Sequence, residues 1–196
     1  SPFREYSNHP YKAMKNAYAG HLKYSFQLRP HTVADQAYIG AYQGIGVGYF
    51  NFGNPEELGN PLAVYLFQGG RIAQFSPRIS LNYEWNFGAS FGWKPYDEYD
   101  NPENQIIGSK VNAYLNVNLY LKWALSPKFD LMIGTTGSHF SNGNTQYPNS
   151  GLNTVDCKVG LVYNFNRRAD ELAQSWQRPI VPPFPRHVSY DLTLFG

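Results

Sequence analysis

A histidine and a serine stand two residues apart in the sequence His139-Phe140-Ser141-Asn142, just before a stretch rich in Asn and Gly. If this segment is a β-strand, alternate side chains point to one face, so the imidazole and the hydroxyl lie on the same side. A neutral imidazole beside a serine can take the hydroxyl proton and make the oxygen a nucleophile. Because His-x-Ser pairs are common by chance, the chemistry depends on the strand that carries this one.

The segments on both sides of the polar stretch alternate as strands do. From Phe129 to Ile133 the odd-numbered residues are apolar, and the even-numbered residues from Asp130 to Ser138 are mostly polar or small. His139 and Ser141 are odd and continue the apolar side. In a soluble β-sandwich that side would be core, whereas in a membrane barrel it would face lipid. The second segment has the same apolar odd-numbered set, at Val155, Cys157, Val159, Leu161, Tyr163 and Phe165.

The composition favours a transmembrane β-barrel. Charged residues make up 15% of the chain, against about 25% in ordinary soluble domains. Aromatic residues reach 17%, the mean hydropathy is −0.46, and the sequence contains no apolar run long enough for a membrane-spanning helix. A soluble all-β domain is the alternative on composition alone. The net charge of +2 comes with scattered Lys and Arg, which argues against a nucleic-acid partner.

Alternation along the rest of the chain predicts an all-β fold, an antiparallel transmembrane barrel of at least eight strands. Several predicted strands match or exceed the ~9–11 residues that cross a bilayer. Their polar faces carry Asn, Ser, Gln, Gly and Tyr, which suit a water-filled lumen. The predicted strands are 21–29, 41–51, 61–75, 78–93, 110–125, about 128–140, about 153–165 and 187–195.

Four regions follow from this pattern. Residues 1–20 are expected to be irregular, 21–165 to hold the barrel strands, 166–186 to form a short helix and a Pro-rich arm, and 187–196 to form a further strand. Two tight Ser-Pro connections alternate with longer polar loops, as in barrels with short periplasmic turns. This arrangement places His139 and Ser141 near the outer rim. It also brings both ends of the chain to that rim, so we expect flanking strands and a larger barrel.

Other motifs carry less chemistry. The alternate glycines of Gly44-x-Gly46-x-Gly48 lack the helix of a nucleotide-binding loop, so they are expected to make room inside the barrel. An acidic loop could bind a divalent cation, but a solvated loop is the simpler interpretation. No cofactor or metal is predicted, because the other histidines, at 9, 21, 31 and 187, show no metal-ligand spacing. The acidic residues of the loop are Asp97, Glu98, Asp100 and Glu103.

Three motifs together resemble a known family. They are H-F-S-N-G at 139–143, G-L-N at 151–153 and V-G-L-x-Y-x-F at 159–165. This pattern resembles the PagL-like lipid A 3-O-deacylases, also described as acyloxyacyl hydrolases, over about 128–165 and through hairpin pattern alone over 62–125. The resemblance implies an outer-membrane barrel with its site on the lipid-facing wall. There a Ser, a His and an acidic residue hydrolyse an ester-linked acyl chain of lipid A.

The resemblance also implies roles for individual residues. Ser141 would be the nucleophile and His139 the general base, with Asn142 and loop N–H groups as oxyanion donors. At the start of the next strand, where the family has a Glu, this chain has Asn153. An Asn can accept a hydrogen bond from the imidazole, as in Cys-His-Asn sites, but it brings no negative charge to stabilise an imidazolium.

Two functions of different classes follow. The first is a metal-independent serine esterase of the bacterial outer membrane that hydrolyses an ester-linked acyl chain of lipopolysaccharide. The second is a barrel with weak or no activity that serves as a structural or assembly subunit of an outer-membrane protein complex. Asn153, the predicted extra strands and the arm at 166–186, which could dock a partner protein, favour the second.

Overall fold

A computed structural model describes residues 17–27, 40–167 and 169. Seven β-strands occupy them, each within three residues of a predicted strand. The predictions for 1–16 and for nearly all of 166–196 lie outside the described residues. The strands are β1 (Tyr18–Gln27), β2 (Tyr42–Asn51), β3 (Gly59–Ser76), β4 (Ile79–Trp93), β5 (Val111–Ala124), β6 (Phe129–Ser141) and β7 (Leu152–Tyr163).

Each strand pairs antiparallel with the next, so the strand order along the sheet follows the chain from β1 to β7. The sheet curls into a half-barrel, and the rings of Tyr24 on β1 and Phe165 just after β7 lie 6.3 Å apart. Within the described residues, β1 and β7 do not pair with each other. The all-β antiparallel prediction is confirmed. Closure and the number of strands remain predictions.

The apolar side of the sheet lies on the outside. On β5, Val117 is 64% exposed, whereas its neighbours Asn116 and Asn118 are buried. The same reversal holds on β7, where Val155 is 78% exposed. A water-soluble β-protein buries its apolar face, so this sheet has the opposite arrangement. Other exposed apolar residues of this outer face are Leu22, Ile45, Leu62, Leu66, Phe87, Leu119, Leu121, Ile133 and Leu161.

The inner face carries a buried polar network centred on Glu84. The Glu84 carboxylate accepts hydrogen bonds from Lys23, from Tyr42 at 3.1 Å and from the Asn118 amide at 3.2 Å. Lys158 Nζ lies 3.5 Å from the same carboxylate. A buried charge is costly unless it is paired and hydrogen-bonded, and this one is both. Since Lys23 is on β1 and Lys158 is on β7, one carboxylate links the two edge strands across the lumen.

Aromatic side chains fill the lumen at one end. We call Phe50, Phe52, Trp93, Tyr114 and Phe140 the aromatic plug; all five are buried, and their rings contact one another. Three long connections lie at this rim, 52–58, 94–110 and 142–151. Leu58 from the first loop and Ile107 from the second pack against the plug.

The opposite rim has the tight turns. Ser76 Oγ accepts the N–H groups of Arg78 and Ile79, and Ser126 Oγ accepts those of Lys128 and Phe129. Both Ser-Pro connections are therefore closed by the same side-chain-to-backbone bonds. Among the described residues, no helix is long and apolar enough to cross a membrane.

The alternate glycines of β2 make room for large luminal side chains, as predicted. A Cβ at Gly46 would lie 2.5 Å from the Tyr65 ring, and one at Gly48 would lie 2.9 Å from the His21 imidazole. Such contacts are too short for any side chain, so the close approach of the rings requires glycine here.

Candidate active site

His139 and Ser141 lie on the outer face of β6, where the strand ends at the rim of the long loops. The residues between and before them point inward, because Ser138 and Phe140 are buried. Both side chains of the pair are half-buried. The sequence alternation had placed them together on this face, and the structure does so at the edge of the apolar surface.

Strand pairing adds the third residue. The register of β6 and β7 sets His139 opposite Asn153, and His139 Nδ1 lies 2.7 Å from Asn153 Oδ1. An amide oxygen only accepts hydrogen bonds, so the bond requires the proton to be on Nδ1. The imidazole then presents an unprotonated Nε2, the atom that a serine-activating base needs. Asn153 therefore holds His139 in the tautomer of a general base.

Ser141 lies beside His139 without a hydrogen bond to it. Its Oγ accepts the Gly143 N–H at 3.4 Å, and among the described residues no hydrogen bond joins it to His139. Hydrogen bonds of catalytic groups are often long or absent without substrate and tighten in the substrate complex. The Gly143 N–H points toward the nucleophilic oxygen, so it can donate to an oxygen that develops charge beside that atom.

Gly151 is a site residue that the sequence analysis missed. Its φ is +70°, and a Cβ there would lie 3.3 Å from His139 Cε1 and 3.6 Å from Ser141 Cβ. Its N–H donates to the Ile106 carbonyl at 3.2 Å, so loop 94–110 fixes its place. That loop is itself held by the buried Asn104, whose Oδ1 accepts the Ile106 N–H at 2.9 Å. The available signal was a Gly at a loop-to-strand boundary, which often marks a positive φ.

Asn142 makes hydrogen bonds within loop 142–151. Its Nδ2 donates to the Gln146 carbonyl at 2.7 Å, and its backbone N–H donates to Asn149 Oδ1 at 3.1 Å. Its own Oδ1 is buried without a hydrogen-bond partner among the described residues. One N–H of the Asn142 amide is therefore used to shape the loop and the other is left to donate, so its role as an oxyanion donor stays a prediction. The Gly143 N–H, within hydrogen-bond distance of Ser141 Oγ, is a second candidate donor.

Comparison with known proteins identifies the family of this chain. A family model described as PagL, lipid A 3-O-deacylase, matches residues 2–162, a range that includes His139, Ser141 and Asn153. The chain belongs to the PagL family. No match was found among curated proteins or among solved structures.

For a PagL family member, the feature to explain is the missing carboxylate beside His139. Among the described residues no carboxylate is hydrogen-bonded to His139. Glu84 lies on the inner face with Lys23 and Lys158, so it is on the wrong side of the sheet. Asn153 is the residue hydrogen-bonded to His139 in its place.

The acidic loop is folded by its own hydrogen bonds. Asp97 Oδ1 accepts the N–H groups of Tyr99 at 2.9 Å and Asp100 at 3.0 Å. These two bonds, first that from Asp100, stabilise the carboxylate and lower the pKa of Asp97 below its usual value. Across residues 17–27 and 40–167, no group of three His, Cys, Asp or Glu side chains is placed to hold a metal ion.

Proposed function

We propose that this protein is a serine esterase of the bacterial outer membrane that removes an ester-linked acyl chain from lipid A. The single observation that carries the proposal is the hydrogen bond from His139 Nδ1 to Asn153, beside Ser141 on the same outer face. Membership of the PagL family supplies the substrate class. Lipopolysaccharide is then the partner.

The reaction needs only groups of this chain and water. Ser141 Oγ attacks the acyl carbonyl carbon while its proton passes to His139 Nε2. The carbonyl oxygen becomes negative and accepts the Gly143 N–H. The ester bond then breaks, His139 protonates the departing sugar oxygen, and the acyl group stays on Ser141. A water molecule, deprotonated by His139, releases the fatty acid and restores the serine.

The position of the site suits a substrate that stays in the membrane. An exposed apolar outer face is what a strand presents to lipid, and the polar inner face is what it presents to a lumen. We therefore propose that β1–β7 are part of a transmembrane barrel of at least eight strands. On this orientation His139 and Ser141 lie at the level where acyl chains meet head groups.

The neutral Asn153 sets an expectation for the rate. A carboxylate stabilises the imidazolium that forms during attack, and an amide does not, so turnover should be lower than with an acidic residue. Replacing the triad Asp of a serine protease by Asn lowers turnover by about 10⁴, an effect attributed to the wrong tautomer. Here the amide oxygen accepts from Nδ1, so the tautomer is the productive one. The loss should therefore be smaller.

Mass spectrometry of lipid A tests the proposal. Cells expressing the full-length protein should lose one acyl chain from lipid A, and cells expressing Ser141→Ala should retain it. Both proteins must first be shown to fractionate with the outer membrane at equal levels. Unchanged lipid A with the wild-type protein would contradict deacylation. Co-purification with other membrane proteins would then support a structural or assembly subunit.

A further inference from the structure

Behind the His139–Asn153 pair on the outer face, Phe140 and Leu152 form a pair on the inner face. In the β6–β7 register, His139 faces Asn153, and the next residues, Phe140 and Leu152, face each other. Successive side chains of a strand point to opposite faces. The His139–Asn153 hydrogen bond therefore lies on the outside while Phe140 and Leu152, 0% and 3% exposed, lie directly behind it in the lumen.

Phe140 is enclosed by four other rings. Its ring centroid lies 5.0 Å from Phe50, 5.6 Å from Phe52, 5.1 Å from Trp93 and 5.1 Å from Tyr114. Edge-to-face and offset aromatic pairs at these distances add directional attraction to the burial itself. A close-packed ring cannot shift without displacing its neighbours. The backbone between His139 and Ser141 is thus held from behind.

The plug reaches beyond β6. Phe52 lies just after β2, where its ring stacks on Trp93 at 5.5 Å, and Trp93 ends β4. Leu58 and Ile107 bring loops 52–58 and 94–110 onto the same cluster. These loops carry none of the three residues proposed for catalysis, yet both pack into the cluster that encloses the residue between two of them.

We propose that Phe140 is a positioning residue, through which the aromatic plug fixes His139 and Ser141 in their reactive geometry. This inference rests on the proposed esterase function. A displacement of about 1 Å at a reacting group can cost about 10²-fold in rate. Substrate binds on the outer face and does not contact Phe140. Loosening the plug should therefore lower kcat and leave KM unchanged.

The test compares the same substitution at two buried rings. Phe67 is also luminal and 3% exposed, but its ring contacts are with Tyr42 and Tyr65 and not with Phe140. Purified full-length Phe140→Leu and Phe67→Leu would be assayed for lipid A deacylation, for labelling of Ser141 by a fluorophosphonate, and for unfolding temperature. Phe52→Leu, which loosens the plug from the loop side, is the third variant.

We expect Phe140→Leu to lower kcat and the labelling rate by about tenfold or more, with unchanged KM. Phe52→Leu should lower both rates less. Phe67→Leu should leave both rates unchanged, although Phe140→Leu and Phe67→Leu should both lower the unfolding temperature.

Equal rates for Phe140→Leu and Phe67→Leu, or an effect on KM alone, would overturn the inference. Failure of the wild-type protein to deacylate, with Ser141 still labelled, would instead count against the proposed substrate. Absence of both activities would overturn both proposals.

Discussion

At the scale of single residues, the site depends on how Asn153 holds His139. The 2.7 Å bond to Nδ1 selects a tautomer and an orientation, which are geometric effects that an amide supplies as well as a carboxylate. Stabilising the imidazolium is an electrostatic effect that an amide does not supply. Substitution can separate these two effects. An apolar side chain at position 153 loses the orientation of the imidazole, whereas a carboxylate keeps the orientation and adds stabilisation of the imidazolium.

Asn153→Leu should lower kcat by about tenfold, since one lost hydrogen bond of about 1.4 kcal/mol corresponds to that factor. Asn153→Glu should raise kcat above that of the wild-type protein, provided that the longer side chain still reaches Nδ1. Steady-state deacylation of detergent-solubilised lipid A measures both. Thr154→Ala is the control, because Thr154 is the next residue of β7 and lies on its inner face. A Leu variant as active as the wild-type protein would show that Asn153 does not orient the base.

At the scale of elements, the site belongs to the hairpin of β6, loop 142–151 and β7. The loop is tied down at its far end, where the Gly151 N–H donates to the Ile106 carbonyl. Gly151 then passes beside His139 and Ser141 with no side chain and with φ at +70°. A substituent at this position would face two difficulties, a strained backbone and a contact with the imidazole.

Substitution of Gly40 is the control that separates backbone strain from contact with the imidazole. It has the same φ of +70°, and a Cβ there would meet nothing within 4 Å. Gly40→Ala and Gly151→Ala should each lose about 1 kcal/mol of stability to the backbone conformation. Only Gly151→Ala should also lower kcat, since its methyl group displaces His139. Equal kcat values for the two variants, measured alongside urea unfolding, would contradict a steric role for Gly151.

At the scale of the whole molecule, the sheet is arranged inside out relative to a water-soluble protein. Its outer face exposes Val, Leu, Ile and aromatic residues, and its inner face buries Asn, Ser, Tyr and Glu84. Burial of apolar area stabilises a fold in water by about 25 cal/mol per Å². Much of the apolar area of the outer face, as at Val155 with 78% exposure, is left unburied by the described residues. A lipid environment would supply the missing contacts.

The substitution Val117→Arg distinguishes a wall that faces lipid from one that faces water. In a bilayer, an Arg on the lipid-facing side near the midplane costs about 2–4 kcal/mol. In water, a substitution at a 64% exposed position costs about 0.5 kcal/mol or less. Refolding into lipid vesicles followed by denaturant titration measures the difference. Tyr99→Arg, in a loop and 88% exposed, is the control. A Val117→Arg protein as stable as the control would argue against a lipid-facing wall at β5.

Sequence alternation predicted a large part of this architecture. Because side chains of a strand alternate between faces, the parity of residues on β6 and β7 predicted which residues share a face, including His139 and Ser141 on the apolar one. Parity does not show whether the barrel closes, and the strands expected beyond the outer edges of β1 and β7 stay predictions.

The sequence by itself thus determined the strands, their two faces and the location of the His-Ser pair on the apolar one, since these depend on local periodicity. Only the tertiary structure decided the contacts between segments that are distant along the chain. The bond from His139 to Asn153 depends on strand register, and the place of Gly151 depends on loop 94–110. The rings around Phe140 come from β2, loop 52–58, β4 and β5. Such contacts are set by how strands pair and how a lumen is filled, and local periodicity carries no information about either.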